Sequence, residues 1–137
     1  MSAATDLVRA ALDLFEREGP EAIVELADPE IEVQGEGDLI DTTVYRGREG
    51  FRTWSRQWLD AWQSFRMEPR ELIEVADGIV VVPLHQVGVG KASGIEVETD
   101  VAYLIEVRDS RLTRLRLYTN EGRALEVARE LAGACGS

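Results

Sequence analysis

The sequence predicts an α+β fold in which helices pack against one face of an antiparallel sheet. Three observations indicate this class. Apolar residues in the first part of the chain recur at three- and four-residue steps, which is the helical period. In the second half apolar and polar residues alternate, which is the period of a strand. Short turns at Asp77-Gly78 and Asp109-Ser110 join the strand-like runs into long hairpins.

The composition is that of a globular protein. The chain has 137 residues, of which 45% are apolar and 30% are charged, so we predict a single domain with one core over residues 1–137. No apolar run approaches the roughly 20 residues that span a bilayer. The N-terminus lacks the basic and then apolar order of a secretory signal. We therefore expect a cytoplasmic protein with no membrane partner.

The charge excludes one large class of partner. The net charge is -11, and such a surface repels a phosphate backbone, so we expect no nucleic-acid partner. There is one cysteine, Cys135, and no spacing of residues resembles a metal site, a phosphate-binding loop or a nucleophile with its base. We expect no metal and no cofactor.

The N-terminal half predicts three helices and one strand. The apolar spacing places the first helix at residues 5–18, and proline opens a second at residues 20–27. A strand at residues 30–34 and a polar, glycine-rich loop at residues 35–43 follow. The third helix is expected from residue 51 to about residue 63.

The third helix carries an aromatic stripe of Phe51, Trp54, Trp58 and Trp62 at helical spacing. Such a stripe more often packs a core than it binds a ligand. Trp54 is the best candidate for a pocket wall, because an indole offers apolar area together with a hydrogen-bond donor.

The C-terminal half predicts four strands and a closing helix. The strands are expected at residues 65–76, 79–89, 95–108 and 111–119, and the helix at residues 121–131. A strongly curved sheet of these strands would wrap the N-terminal helices and leave a cavity between sheet and helices.

The whole chain resembles the SnoaL-like branch of the nuclear-transport-factor-2-like superfamily. The matching segments are YRGREG at residues 45–50, KASGIEV at 91–97, RLRLYTN at 114–120 and RALE at 123–126. The resemblance implies a cone-shaped barrel, in which a curved antiparallel sheet wraps around the N-terminal helices and encloses an internal pocket. It also implies a homodimer formed through the sheet. Relatives include polyketide cyclases, ketosteroid isomerases and limonene epoxide hydrolases, so the fold implies a pocket and no single reaction.

The resemblance transfers few catalytic residues. The acid that ketosteroid isomerases carry on the long strand corresponds to Ala102, with Asp100 two residues earlier on the same face. The tyrosine of their first helix corresponds to a position near Phe15, and the stretch that should hold their base has no clear aspartate. Asp100 and Arg116 resemble part of the Asp-Arg-Asp group of the epoxide hydrolases.

The alternation along residues 95–108 allows two assignments of the strand's faces. In the first, an apolar face points to the core and Asp100 points to water. In the second, which the resemblance implies and which we favour, a dimer partner covers the apolar face and the other face lines the pocket. The residues then expected between subunits are Val101, Tyr103, Ile105, Leu115 and Leu117. The residues then expected toward the pocket are Asp100, Ala102, Leu104, Arg114, Arg116 and Tyr118.

Two hypotheses for function follow. The first is a small enzyme of the cyclase, isomerase or hydratase kind, acting by acid–base chemistry on an apolar carbonyl compound or epoxide. In it Asp100 is the base or orients the substrate, His85 shuttles protons, and Arg116 with Tyr118 forms the electrophilic side. The second is a non-catalytic module that uses the same pocket to bind a small apolar molecule, or that only dimerises.

Other residues complete the candidate site. A buried arginine needs a carboxylate or an anionic ligand, and Asp100 is the natural partner for Arg116. His85 also fits an exposed or sheet-edge imidazole, which is the alternative to a pocket role. The ligand-binding candidates are Phe15, Tyr45, Trp54, Trp58, Leu104 and Arg114.

Overall fold

The structure is a computed structural model that describes residues 3–35, 44–60 and 62–136. Its helices are α1 (Ala3–Glu18), α2 (Pro20–Ile23), α3 (Gly47–Asp60) and α4 (Glu121–Gly136), with a 3-10 turn at Val24–Leu26. Its strands are β1 (Ala27–Gly35), β2 (Val44–Arg46), β3 (Trp62–Pro69), β4 (Ile73–Ala76), β5 (Ile79–Gly90), β6 (Glu96–Arg108) and β7 (Arg111–Tyr118). Residues 36–43 of the predicted glycine-rich loop lie outside this description.

The strands form one curved sheet in the order β2-β1-β7-β6-β5-β3, and β4 also pairs with β5. The predicted α+β class and its cone-shaped sheet are confirmed. The expectation of a wholly antiparallel sheet is wrong at one pair, because β1 runs parallel to β7 with Gln34 opposite Arg116. Most of the chain separates these two strands, so no hairpin forces them to be antiparallel.

The turn between β6 and β7 agrees with the prediction. Asp109 and Ser110 have φ angles of 52° and 61°, as expected for a two-residue turn whose twist matches that of the flanking strands. The long β6–β7 hairpin therefore has a fixed register, in which Tyr103 lies opposite Leu117 and Leu104 opposite Arg116.

Two predicted elements differ in the structure. The strand expected at residues 65–76 is split into β3 and β4, since Pro69 cannot continue the pairing with a backbone N–H. The third helix ends at Asp60, so Trp62 does not share the aromatic stripe of α3 but begins β3. Its indole packs on Gly88, where a Cβ atom would come within 2.5 Å of the ring.

The two faces of the sheet are covered by different helices of the same chain. Helices α1, α2 and α3 cover the inner face, and there Val101, Tyr103 and Ile105 are only 5–6% exposed. Leu115 and Leu117 belong to the same core cluster. The expectation that these residues lie between subunits is wrong, because the chain's own helices bury them.

The outer face carries α4. Here Ala102, Leu104 and Tyr118 pack with Ala124 and Ala128 of that helix in a second buried cluster. The expectation that Asp100, Ala102 and Leu104 turn toward the pocket is therefore wrong. The simpler assignment, an apolar face toward the core and Asp100 in water, is the one that the structure adopts.

Candidate functional site

A cavity of about 60 Å³ lies on the inner face of the sheet, between the sheet and helices α1 and α3. Amphipathic α1 and α3 turn their apolar sides to the sheet and supply half of the lining residues. The lining residues are Val8, Ala11, Leu12, Phe15, Ile23, Phe51, Trp54, Ser55, Phe65, Met67, Tyr103, Ile105, Leu112 and Leu115. Among these described lining residues no side chain is charged, so the wall favours an apolar, uncharged occupant.

A wider surface cleft of about 380 Å³ adjoins the cavity between α1 and β3. Leu12, Phe15, Phe65 and Met67 line both spaces. These four side chains therefore separate the cavity from the cleft.

Some of the predicted ligand-binding residues reach this cavity and others do not. Phe15 and Trp54 lie in its wall, and the Trp54 ring is 6.0 Å from that of Phe51. Tyr45 packs against the core outside the wall, and its hydroxyl donates to Oε1 of Gln57 at 2.8 Å. The side chain of Trp58 lies outside the described part of the chain.

Polar groups on the inner face escaped the sequence analysis. Ser55 and Gln86 are 5% and 3% exposed. Ser55 Oγ has no hydrogen-bond partner among the residues that the structure describes, whereas the Gln86 side chain bonds with Tyr103. Leaving such a group unpaired costs about 1–3 kcal/mol. The sequence holds only weak indications that these two residues face the core. Ser55 is four residues from Phe51 on α3, and Gln86 is two residues from Leu84 on β5, so each shares a face with an apolar residue.

Tyr103 is the titratable residue in the cavity wall. Burial raises the pKa of the Tyr103 phenol well above its usual range, while a hydrogen bond with the Gln86 side chain acts in the opposite direction. Tyr103 is therefore protonated at any physiological pH, and it can donate a hydrogen bond but cannot serve as a base.

The outer face carries an open charged cluster, which we call the His85 cluster: His85, Asp100, Glu98 and Arg70. His85 Nδ1 lies 2.9 Å from Asp100 Oδ1, and Nε2 lies 3.3 Å from Glu98 Oε1. Arg70 Nη2 donates to the same Asp100 oxygen at 2.9 Å. Both ring nitrogens thus face carboxylate oxygens, an arrangement that the doubly protonated imidazolium satisfies best.

The pKa shifts in the His85 cluster follow from these contacts. Hydrogen bonds with Asp100, and to a lesser degree with Glu98, raise the pKa of His85. The hydrogen bond with His85, followed by the charge of Arg70, lowers the pKa of Asp100. The Asp100 side chain is nevertheless 63% exposed, so solvent screens these interactions.

The four predicted catalytic residues therefore do not meet in the cavity. His85 and Asp100 lie in the charged cluster on the outer face, and Asp100 bonds to Arg70 and His85 rather than to Arg116. Arg116 shares this outer face, and Tyr118 is buried beneath α4. The physical reason is the period of two along a strand, which sends residues 100, 102 and 104 to the side opposite Tyr103.

Two more predicted ligand contacts lie on that outer face. Leu104 is fully buried in the cluster beneath α4. Arg114 forms ion pairs with Glu32 at 3.3 Å and with Glu106 at 3.1 Å. Their expected contact with a ligand in the inner pocket is wrong for the same reason of strand parity.

Within residues 3–35, 44–60 and 62–136, no three His, Cys, Asp or Glu side chains are grouped so as to hold a metal ion. Of the helices that the structure describes, none is long and apolar enough to cross a membrane.

Comparison with known proteins identifies the family. The sequence model of the SnoaL-like domain matches residues 8–115, which is well over half of the chain. The chain therefore belongs to the SnoaL-like domain family, and the resemblance to this branch of the nuclear-transport-factor-2-like superfamily is confirmed. No curated protein sequence matches the chain.

Solved structures share the fold over nearly the whole chain. An NTF2-like protein of unknown function from Burkholderia pseudomallei has a TM-score of 0.77 and 14% identity, over 93% of this chain and 98% of that one. A protein named as a SnoaL-like polyketide cyclase, from Jannaschia sp. CCS1, has a TM-score of 0.74 and 13% identity, over 93% and 92%.

A third structure contains a ligand. It is a protein with a ketosteroid isomerase-like fold from Catenulispora acidiphila, in complex with trimethylamine, with a TM-score of 0.71 and 16% identity, over 82% of this chain and 84% of that one. At such identities the likeness is one of fold, and the chemistry of this chain depends on its own residues.

Proposed function

We propose that this protein binds a small, uncharged, apolar molecule in the cavity between α1, α3 and the sheet. The observation that carries the proposal is the lining of that cavity, in which every described side chain is uncharged and nearly all are apolar. Burial of apolar ligand surface against such a wall is favourable by about 25 cal/mol per Å².

The size of the cavity limits the ligand. Pockets for drug-sized ligands usually measure about 300–1,000 Å³, whereas this one measures about 60 Å³. The occupant therefore has few non-hydrogen atoms, unless Phe15 and Met67 turn aside and join the cavity to the cleft.

Among the residues that the structure describes, the site fits binding better than acid–base catalysis. An acid–base enzyme needs a proton acceptor beside its substrate. The Asp100 carboxylate and the His85 imidazole lie on the other side of the sheet, and the Tyr103 phenol stays protonated because burial raises its pKa. The likeness to a SnoaL-like polyketide cyclase keeps an enzymatic role as the alternative.

A cavity-filling variant tests the proposal. Tryptophan fluorescence is recorded during titration with a panel of small apolar ketones and lactones, and Trp54→Phe identifies the reporting residue, since Trp54 lies in the wall. Ala11→Leu places a larger side chain in the wall and should abolish the change. Ala10→Leu is the matched control, because the neighbouring Ala10 is exposed on the same helix. A response that survives Ala11→Leu would show that the molecule binds elsewhere.

A further inference from the structure

Among the described residues, β6 has an unpaired edge over its first half. It pairs with β5 from Glu96 to Glu106. Its pairing with β7 begins only at Ala102, opposite Tyr118, where β7 ends. Residues 96–101 therefore have a neighbouring strand on one side only, and residues 91–100 are all exposed to solvent. A free strand edge of this kind is a template for a further strand.

The register shows which backbone groups face this free edge. The Gly90 N–H donates to the Ile95 carbonyl at 3.0 Å, so residue 95 directs its backbone groups toward β5. That direction alternates along an antiparallel strand. Glu96, Glu98 and Asp100 therefore direct their N–H and C=O groups to the free side. In the part of the chain that the structure describes, no other strand bonds these groups.

The side chains of the same stretch form two different rows. Glu96, Glu98 and Asp100 lie on the outer face of the sheet. Ile95 and Val97 lie on the other face, and they are 63% and 43% exposed. They are the two large apolar side chains that the described chain exposes. Exposed apolar side chains beside unpaired backbone groups are typical of a contact surface.

The acidic row makes a second copy of the chain a poor partner for this edge. Two β6 strands paired edge to edge around a twofold axis run antiparallel, and opposite residues share a face. In registers that pair the free stretch with itself, carboxylates of Glu96, Glu98 and Asp100 lie opposite carboxylates of the other copy. Like charges in such positions are destabilising. Copies that stack face to face bring no two edges together, so this repulsion does not apply to them.

We propose that the free edge of β6 binds an extended peptide segment of another protein, in which basic residues alternate with apolar ones. The segment adds a strand beside residues 96–100 and bonds their free N–H and C=O groups. Its basic side chains lie next to the acidic row, and its apolar side chains pack on Ile95 and Val97. This contact is independent of any ligand in the inner cavity.

The charge around the edge favours a basic partner. Asp100 pairs with Arg70 at 2.9 Å, and Glu98 lies 3.3 Å from a ring nitrogen of His85. Both cations lie on the β5 side of β6, so the carboxylates are the charges nearest to an added strand. The net charge of -11 attracts the same class of peptide over longer distances.

Two short capped peptides test the class of partner. In one lysine and valine alternate, and in the other glutamate replaces lysine. Each is titrated into the ¹⁵N-labelled full chain, and ¹H–¹⁵N spectra report amide shifts and exchange with solvent. We expect binding of the lysine peptide alone. It should slow the exchange of the amides of Glu96, Glu98 and Asp100, which an added strand bonds, more than that of residues 97 and 99, which already face β5.

Two variants of one residue separate the backbone bond from the charge. Glu98→Gln removes the carboxylate and should weaken binding roughly two- to fivefold, as for an exposed ion pair. Glu98→Pro removes the same carboxylate together with the N–H at the free edge, a position where proline is tolerated. It should weaken binding by roughly a further two- to tenfold. Glu16→Gln on exposed α1 is the control and should leave the affinity unchanged. Thermal unfolding verifies that each variant is folded.

Several results would overturn the proposal. Equal binding of the two peptides would show that the acidic row does not select the partner. Amide shifts that spare residues 95–101 would place the lysine peptide elsewhere on the acidic surface. Equal affinities of folded Glu98→Gln and Glu98→Pro would show that no strand is added. Amides of residues 96–100 that exchange slowly in the concentrated protein alone, and faster on dilution, would show that a second copy occupies the edge.

Discussion

The position of His85 in the middle of a strand could be predicted from the sequence, but its surroundings could not. The sequence allows either a pocket residue or an exposed imidazole. The choice depends on which residues of β6 face it, and that register places Asp100 directly opposite. Glu98 and Arg70 complete the cluster from positions that no local pattern connects to His85.

The single histidine makes the His85 cluster easy to measure. Because the hydrogen bond with Asp100 is the largest cause of the raised pKa and that with Glu98 is the next, Asp100→Asn should lower the pKa of His85 more than Glu98→Gln does. The ¹H–¹³C signals of the imidazole ring, titrated with pH, measure both values. Equal pKa values in the wild type and in Asp100→Asn would contradict the 2.9 Å contact.

The same pair predicts how stability depends on pH. The raised pKa of His85 stabilises the fold below its ordinary value of 6.5, and this contribution is lost as pH rises through the folded-state pKa. The lowered pKa of Asp100 stabilises the fold above its ordinary value of 3.8, and this contribution is lost as pH falls through the folded-state pKa. Urea midpoints of wild type and Asp100→Asn should therefore differ most between about pH 4 and pH 6.5. A difference that is constant from pH 3 to pH 9 would contradict this.

Strand β6 is the element at which sequence and structure diverge most. Its alternation is plain in the sequence, but alternation alone does not say which face is covered by what. The resemblance favoured a dimer partner over the apolar face. The structure covers that face with α1, α2 and α3, and it places α4 on the opposite face. The packing of α4 on the outer face decides between the two assignments of the faces of β6. This contact joins segments that are distant in sequence, so no local sequence pattern predicts it.

The buried contact between β6 and α4 predicts a stability effect without a binding effect. Leu104→Ala should lower the free energy of unfolding by about 2–5 kcal/mol, as for other fully buried leucines, and should leave the affinity for a cavity ligand unchanged. Ile95→Ala is the control, since Ile95 is 63% exposed, and it should change stability by less than about 0.5 kcal/mol. Urea unfolding measures both. If Leu104→Ala weakened ligand binding but left the free energy of unfolding unchanged, Leu104 would contact the ligand and not α4.

The β4–β5 turn makes a second prediction for an element. Gly78 has a φ of 81°, and a Cβ atom there would lie 2.6 Å from the Val107 carbonyl oxygen. Gly94 has a φ of 68° but nothing within 4 Å of its Cβ position. Gly94→Ala should therefore lower the free energy of unfolding by about 1–2 kcal/mol, the penalty for a left-handed backbone conformation in alanine. Gly78→Ala should lower it further, because its methyl group also meets the Val107 carbonyl oxygen. Equal urea midpoints for the two variants would show that the turn shifts to admit the methyl group.

For the whole molecule, the order of elements and the fold class were predictable because each element carries its own periodicity. The parallel β1–β7 pair was not, since it joins distant segments without a turn. The sequence predicts a space between sheet and helices with Trp54 and Tyr118 in its wall. Trp54 lies in the wall of the cavity, but Tyr118 lies beneath α4 on the opposite face of the sheet. Two buried polar residues were missed, Ser55 in the cavity wall and Gln86 elsewhere on the same face of the sheet, because a buried polar side chain looks like a surface residue in a sequence.

A homodimer stays a prediction, now on a different surface. Residues 91–100 are exposed at the end of the β5–β6 hairpin. Ion pairs of Arg70 with Asp100 and of Arg66 with Glu68 are exposed on the neighbours of β5, and Glu98 pairs with His85. Mixed charges of this kind can pair with themselves across a twofold axis. Light scattering at micromolar concentration should give twice the chain mass of 15.2 kDa.

Charge reversal tests this surface. Asp100→Arg should shift the mass toward that of one chain, whereas Glu16→Lys on exposed α1 should not. A wild-type protein with the mass of a single chain would refute the dimer.

The sheet that separates the cavity from the His85 cluster has a consequence for evolution and engineering. Along the middle of β6, odd-numbered residues from Val101 to Ile105 face the ligand side and even-numbered residues from Asp100 to Leu104 face away from it. Substitutions at neighbouring positions of β6 therefore change different properties of the protein. A lineage or a designer can vary ligand preference through one set of positions and surface charge or assembly through the other, with little cross-talk between the two.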